Sequence, residues 1–161
     1  MCLVVGLLPA GCPLVDDPAG PTVSLDREAN VAVIATVVKN VYGFQGRGRI
    51  IFLGAEQGAL DSETLAQAGS LVESELGVRV LPESAADRSD LSLPVLTPVD
   101  PQTGDIGISI RLGRFNLGDD GRLRVEVGAI RSGLDGQGYD YVLERASEGW
   151  VIISVAETWV A

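Results

Sequence analysis

The sequence predicts an α+β domain, with two helices packed on a curved, mainly antiparallel sheet that ends in a four-stranded meander. Three observations carry this reading. Apolar residues recur at helical spacing in two stretches of the N-terminal half. The C-terminal third alternates apolar and polar residues with a period of two, interrupted by turn residues. A chain of 161 residues, 46% of them hydrophobic, is long enough for one core without a disulfide or metal.

The elements follow in order. Ser24 or Asp26 can cap a helix running to about Tyr42, in which Val31, Ile34, Ala35, Val38, Val41 and Tyr42 form one apolar face. Val33 and Val37 widen that face, as expected of a helix buried against a sheet. Gly43, Gly46 and Gly48 end it, and residues 49–53 (RIIFL) read as a short buried strand. Asp61 or Ser62 starts a second helix with Leu65, Ala68, Val72 and Leu76 on one side, Gly69 as a weak point and Gly77 as its C-cap. Residues 78–81 form a brief strand. Residues 82–104 contain Pro82, Pro94, Pro98 and Pro101 and have no period, so they are either functional or mobile.

The meander then begins. Ile106, Ile108, Ile110 and Leu112 alternate with Gly107, Ser109 and Arg111. Asp119, Asp120 and Gly121 make a turn into a strand carrying Leu123, Val125 and Val127. Tyr139, Tyr141 and Leu143 share a face of the third strand, and residues 150–160 form the last, with a bend or bulge.

Composition excludes several chemistries. The chain contains no His, which removes imidazole acid–base catalysis, Ser-His-Asp and Cys-His pairs, and His-ligated metals. Its two cysteines, Cys2 and Cys12, both precede the folded part, so no thiol nucleophile or Cys-ligated metal centre belongs to the core. Neither a metal nor another cofactor is expected. A net charge of −10, with no basic stripe, argues against nucleic acid as a partner.

Residues 1–12 (MCLVVGLLPAGC) are apolar and too short to span a bilayer, which takes ~20 apolar residues. They resemble the end of a bacterial lipoprotein signal, in which small residues precede a cysteine that is lipidated after cleavage. On that resemblance Cys12 is the lipidation site, although Pro9 stands where the motif usually has Leu. Residues 13–21 (PLVDDPAGP) read as a tether. The domain organisation is therefore a signal or anchor segment with its tether over 1–21 and one α+β domain over 22–161. The expected address is outside the cytoplasm at the cell envelope, either secreted or held on the membrane by a lipid. The other reading of the apolar segment is a buried first strand or a frayed tail.

Residues 106–161 combine a glycine-rich hairpin over 128–138, the Tyr139-x-Tyr141 strand, a Gly149-Trp150 turn and Trp159. This pattern resembles a type of exported bacterial protein with no established activity. Many such proteins have two cysteines four residues apart in the hairpin, which looks like a local disulfide. Arg131 and Asp135 occupy that spacing here, a natural non-covalent pair. The hairpin is expected to be exposed and mobile.

Carboxylates are the remaining acid–base groups. Asp119, Asp120, Glu126, Asp140 and Glu144 fall on or between the meander strands, where a cross-strand pair can act as acid and base or simply form a solvated face. Residues 100–105 (DPQTGD) hint at an oxygen-ligand calcium loop but lack an EF-hand's alternating acids and closing Glu. Gly43, Gly46 and Gly48 precede a strand rather than a helix, so they are not a phosphate loop. Tyr139, Tyr141, Trp150 and Trp159 either line a cavity between helix and sheet or belong to the core. No catalytic residue is assigned. Two functions remain: a non-catalytic envelope-associated or secreted binding module, and a His-free hydrolase or isomerase using paired carboxylates in a concave sheet.

Overall fold

The computed structural model describes residues 25–45, 50–89, 97–133 and 135–160. Residues 1–21, read from sequence as a signal or anchor segment with its tether and including Cys12, and also Ser24, Gly46, Gly48 and Arg49, lie outside the described residues.

Helix α1, Arg27–Gln45, starts at Asp26, whose Oδ1 accepts the Ala29 N–H at 2.7 Å. Val33, Ile34, Val37, Val38 and Val41 are completely buried. Thr36 escapes the polar penalty of this face by donating its hydroxyl to the Ala32 carbonyl at 2.8 Å. Helix α2, Ser62–Leu76, is capped at both ends. Asp61 accepts from the Thr64 N–H and hydroxyl, both at 2.8 Å, and Gly77 adopts the left-handed conformation, φ 66°, to donate to the Glu73 carbonyl. Gly69, a weak point by propensity, has a packing reason: a Cβ there would lie 3.1 Å from Val80 Cγ1 of the strand that follows.

Six strands make one mixed sheet: β1 Ile50–Ala55, β2 Arg79–Pro82, β3 Ile108–Leu117, β4 Leu123–Ser132, β5 Asp135–Ala146 and β6 Gly149–Val160. Their order is β2-β1-β3-β4-β5-β6. β1 is parallel to both β2 and β3, and the remaining neighbours are antiparallel. Ile51 and Leu53 of β1, Ile108, Ile110 and Leu112 of β3, Leu123, Val125, Val127 and Ala129 of β4, and Tyr139, Tyr141 and Leu143 of β5 pack with both helices into one core. The Tyr141 hydroxyl donates to Asn40 Oδ1 at 3.0 Å, tying β5 to α1. Burial, reinforced by Tyr139, pushes the Tyr141 phenol well above its ordinary pKa.

Among the described residues the opposite face of the sheet is covered at β1 and at Ser109 of β3. Ile50 and Phe52 are buried there beneath the β2–β3 connection. A Cβ on Gly107 of this connection would lie 2.7 Å from Phe52 and 2.8 Å from the Ile50 carbonyl, so a larger residue cannot pass. The described parts of the connection, read from sequence as functional or mobile, are held by antiparallel bridges of Val99 with Asp87 and with Ile106.

The glycine-rich hairpin departs from expectation. Both strands continue to a tight turn between Ser132 and Asp135, and Gly136 and Gly138 are buried rather than exposed. Glycine has little to bury of its own, but it lets other side chains approach; Trp159 fills the space over Gly136 and Gly138.

Core substitutions should separate packing from polar anchoring. Ile110→Ala is expected to lower stability by ~2–5 kcal/mol, and Tyr141→Phe by about 1 kcal/mol through the lost Asn40 bond. Chemical denaturation measures both.

Candidate binding groove

The uncovered face of β3–β6 carries the residues that alternate with the core. In register across the sheet stand Arg111 of β3, Gly128 of β4, Gly138 of β5 and Trp159 of β6. On the same face the next row holds Glu126 opposite Asp140. Arg111, Glu126, Gly128, Asp140 and Trp159, together with Glu83, Arg88 and Ser109, line a groove of about 660 Å³, with Gly138 beneath the indole.

Trp159 owes its place to a β-bulge. Glu157 pairs with Tyr139 while Trp159 pairs with Gly138, so Thr158 is the extra residue. Residues two apart in a regular strand share a face; the bulge reverses this and turns the indole away from the core. The ring then lies back over β5 and β4. A Cβ on Gly138 would overlap Trp159 Nε1 and lie 2.6 Å from Thr158 Oγ1, one on Gly136 would lie 3.1 Å from the indole, and one on Gly128 3.5 Å. The indole remains 44% exposed.

Glu83 forms the opposite wall, with only 14% of its side chain exposed. Arg111 clamps it with Nη2 on Oε1 at 2.7 Å and Nε on Oε2 at 2.9 Å. Ser109 donates to Oε1 at 3.0 Å, and Arg88 Nη2 reaches Ser109 Oγ at 2.9 Å and Glu83 Oε1 at 3.3 Å. Burial pushes the Glu83 carboxyl up, yet the Arg111 and Ser109 hydrogen bonds and both guanidinium charges outweigh it and hold the pKa below the ordinary value. Gly54 leaves room for this carboxylate, which a Cβ there would strike.

The candidate carboxylates separate into different roles. Glu126 and Asp140 meet in the groove, exposed, and among the described residues their side chains make no hydrogen bond or ion pair. Glu144 lies farther along β5 opposite Val151. Asp120 caps its turn by accepting the Arg122 N–H at 3.1 Å, and Asp119 sits beside it in the turn. Asp100 is 2% exposed and its oxygens are taken by Arg79 at 2.7 Å, Thr103 at 2.9 Å and the Gln102 N–H at 3.0 Å, which makes residues 100–105 a structural turn. Among the described residues no group of three or more acidic side chains could hold a metal ion.

Of the four aromatic residues only Tyr139 and Trp159 border the groove among the described residues. Tyr139 and Tyr141 are in the core and Trp150 packs at its edge, whereas Trp159 occupies the opposite face. Arg131 Nη2 donates to Asp135 Oδ1 at 2.7 Å; with both side chains a third to a half exposed, the pair is worth at most ~1 kcal/mol. Sequence reading missed Glu83, Arg88, Ser109 and Arg111. Ser109 and Arg111 were visible as the polar side of an alternating strand, while Glu83 and Arg88 lie in an aperiodic stretch with no signal. No helix among the described residues is long and apolar enough to cross a membrane. No family model, no curated protein and no solved structure matches this chain.

Two outcomes test the groove's construction. Gly138→Ala should displace the indole and cost ~1–3 kcal/mol, and less in a Trp159→Ala background; urea unfolding of the four proteins gives the coupling. For Glu83 the folded pKa lies below the unfolded one, so its contribution is complete above about pH 4.5 and is lost as pH falls through the folded value. The stability difference between the parent and Glu83→Gln should therefore be constant near neutrality and shrink in acid, as read from denaturation at stepped pH.

Proposed function

We propose that this chain is a non-catalytic binding module working outside the cytoplasm at the cell envelope, with its ligand seated in the groove. In this reading the sheet curves around the groove, with β3 to β6 as its meander. The observation that carries it is the Trp159 indole, bulged off the core side, laid on glycines and left with a face open to solvent in the groove. An exposed aromatic plane beside a few fixed polar groups is the usual composition of a ligand site.

The absence of His and the state of the acids support binding over catalysis. A general acid working near neutral pH needs a raised pKa. Among the described residues every carboxyl that departs from its ordinary value does so downward: Asp61, Glu83, Asp87, Asp100 and Asp120. The most deeply buried acid of the groove, Glu83, is consumed by two arginines. The opposed Glu126 and Asp140 favour the second reading, a carboxylate hydrolase or isomerase.

The envelope address rests on the lipoprotein-like segment ending at Cys12 and on the resemblance of residues 106–161 to exported bacterial proteins. The lipid on Cys12 would supply peripheral membrane attachment, with the tether of residues 13–21 between anchor and domain.

Amide-resolved NMR with pools of small saccharides, amines, carboxylates and short peptides tests the site. At least one chemical class should shift the amides of Arg111, Gly128, Gly138 and Trp159 saturably, and Trp159→Ala should remove the effect. Shifts confined to other surfaces, or none, would refute the groove as a ligand site. Turnover of a bound compound that stops in Glu126→Gln and Asp140→Asn would favour the enzyme instead.

A further inference from the structure

We propose that the groove is specific for an organic cation, an alkyl- or quaternary-ammonium head group resting on the open face of Trp159 and countered by Glu126 and Asp140. This rests on the groove being a ligand site and adds the chemistry of what it takes.

The indole is the best side-chain partner for a cation held over its face. The charges around it are arranged in one direction. Both arginines of the groove, Arg88 and Arg111, are committed to Glu83, Arg111 through two hydrogen bonds. Neither is left to receive an anionic ligand. The carboxylates nearest the platform, Glu126 and Asp140, have no such partner among the described residues. Glu56, exposed at the rim, interacts with Arg111 and offsets the second guanidinium of the Glu83 cluster, which leaves the charge of Glu126 and Asp140 uncompensated in the groove.

Their placement is specific. Gly128 and Gly138, which lie under the indole, are paired with each other, and Glu126 and Asp140 are the next same-face pair on the same two strands. Two residues along a strand is about 6.6 Å, so a head group over the pyrrole end of the indole, which lies above Gly138, is one row from both carboxylates. Like charges directly opposite one another in a sheet are unfavourable, and here the repulsion is left standing beside an aromatic plane. A cation there relieves it. The field of a chain carrying −10 further concentrates cations at the surface. An organic head group fits better than a divalent metal ion: two carboxylates on neighbouring strands leave most of a metal's coordination sphere to water, whereas the indole face offers a metal nothing.

The test uses the Trp150→Phe protein, in which Trp159 is the sole tryptophan. Its emission is titrated at constant ionic strength with choline and with choline's neutral isostere, in which carbon replaces the quaternary nitrogen. Choline should quench saturably, the isostere should bind at least about tenfold more weakly, and the Glu126→Gln, Asp140→Asn double variant should lose about tenfold for choline alone. Because that variant removes opposed exposed charges, its urea midpoint should not fall below the parent's, which separates lost binding from lost folding. Equal binding of the isostere, or unchanged choline binding by the double variant, overturns the inference. So does calcium binding that displaces choline from the parent. If neutral ligands shift the groove amides while choline does not, the cation is wrong and the groove reading stands; if neither class acts there, both fail.

Discussion

Burial of α1 is the constraint on which the rest of the fold depends. Val31, Val33, Ile34, Thr36, Val37, Val38 and Val41 are all β-branched, and such residues lose side-chain freedom in a helix. The propensity cost is a few tenths of a kcal/mol per residue, whereas full burial of Val or Ile contributes about 1.5–3 kcal/mol. The helix exists because the sheet receives it. The receiving surface is supplied by Ile110, Leu112, Val125, Val127, Tyr139 and Tyr141, aligned by the β3–β5 register. Polar ends fix the helix on that surface: Tyr141 bonds Asn40, and Gln45 donates to the Tyr139 hydroxyl at 2.5 Å.

Committing one sheet face to α1 and α2 determines what the other can be. Over β1 it is covered, because Ile50 and Phe52 are apolar on that side and the β2–β3 connection packs on them. The cover stops at β3, where side chains become polar. The boundary is Glu83, a largely buried carboxylate that could not remain there without the guanidiniums of Arg111 and Arg88 and the hydroxyl of Ser109. One cluster thus anchors the connection to β3 and, with Glu56 acting on Arg111, balances the two guanidiniums at the groove's edge.

The helices were legible because each announces itself locally. Asp61 and Gly77 cap α2 where the sequence places them, and the spacing from Val31 to Val41 locates α1. The alternation in β3, β4 and β5 identified the core side of each strand, Tyr139 and Tyr141 included. Parallel pairing of β1 with both β2 and β3 was hidden, since it depends on a connection without periodicity. For the same reason Glu83 and Arg88 gave no warning of their role. The glycines of 128–138 were read as a loop because glycine usually marks flexibility. Gly128, Gly136 and Gly138 are strand residues whose missing side chains make room for an indole from β6.

That indole ties the groove to the problem of the sheet's edges. An edge strand presents unpaired backbone groups, and proteins blunt such edges by brevity, charge, proline or bulges. β2 is four residues long with Arg79 and Pro82. β6 is neither short nor broken by proline: it runs twelve residues and carries a single charged side chain, Glu157. It is instead interrupted by bulges at Ile153 and Thr158. The second of these also directs Trp159 onto the outer face, where Gly138 and Gly136 admit it. The irregularity that disrupts a long apolar edge therefore places the indole in the groove, and a regular β6 would lose both. Edge protection and site construction rest on the same extra residue.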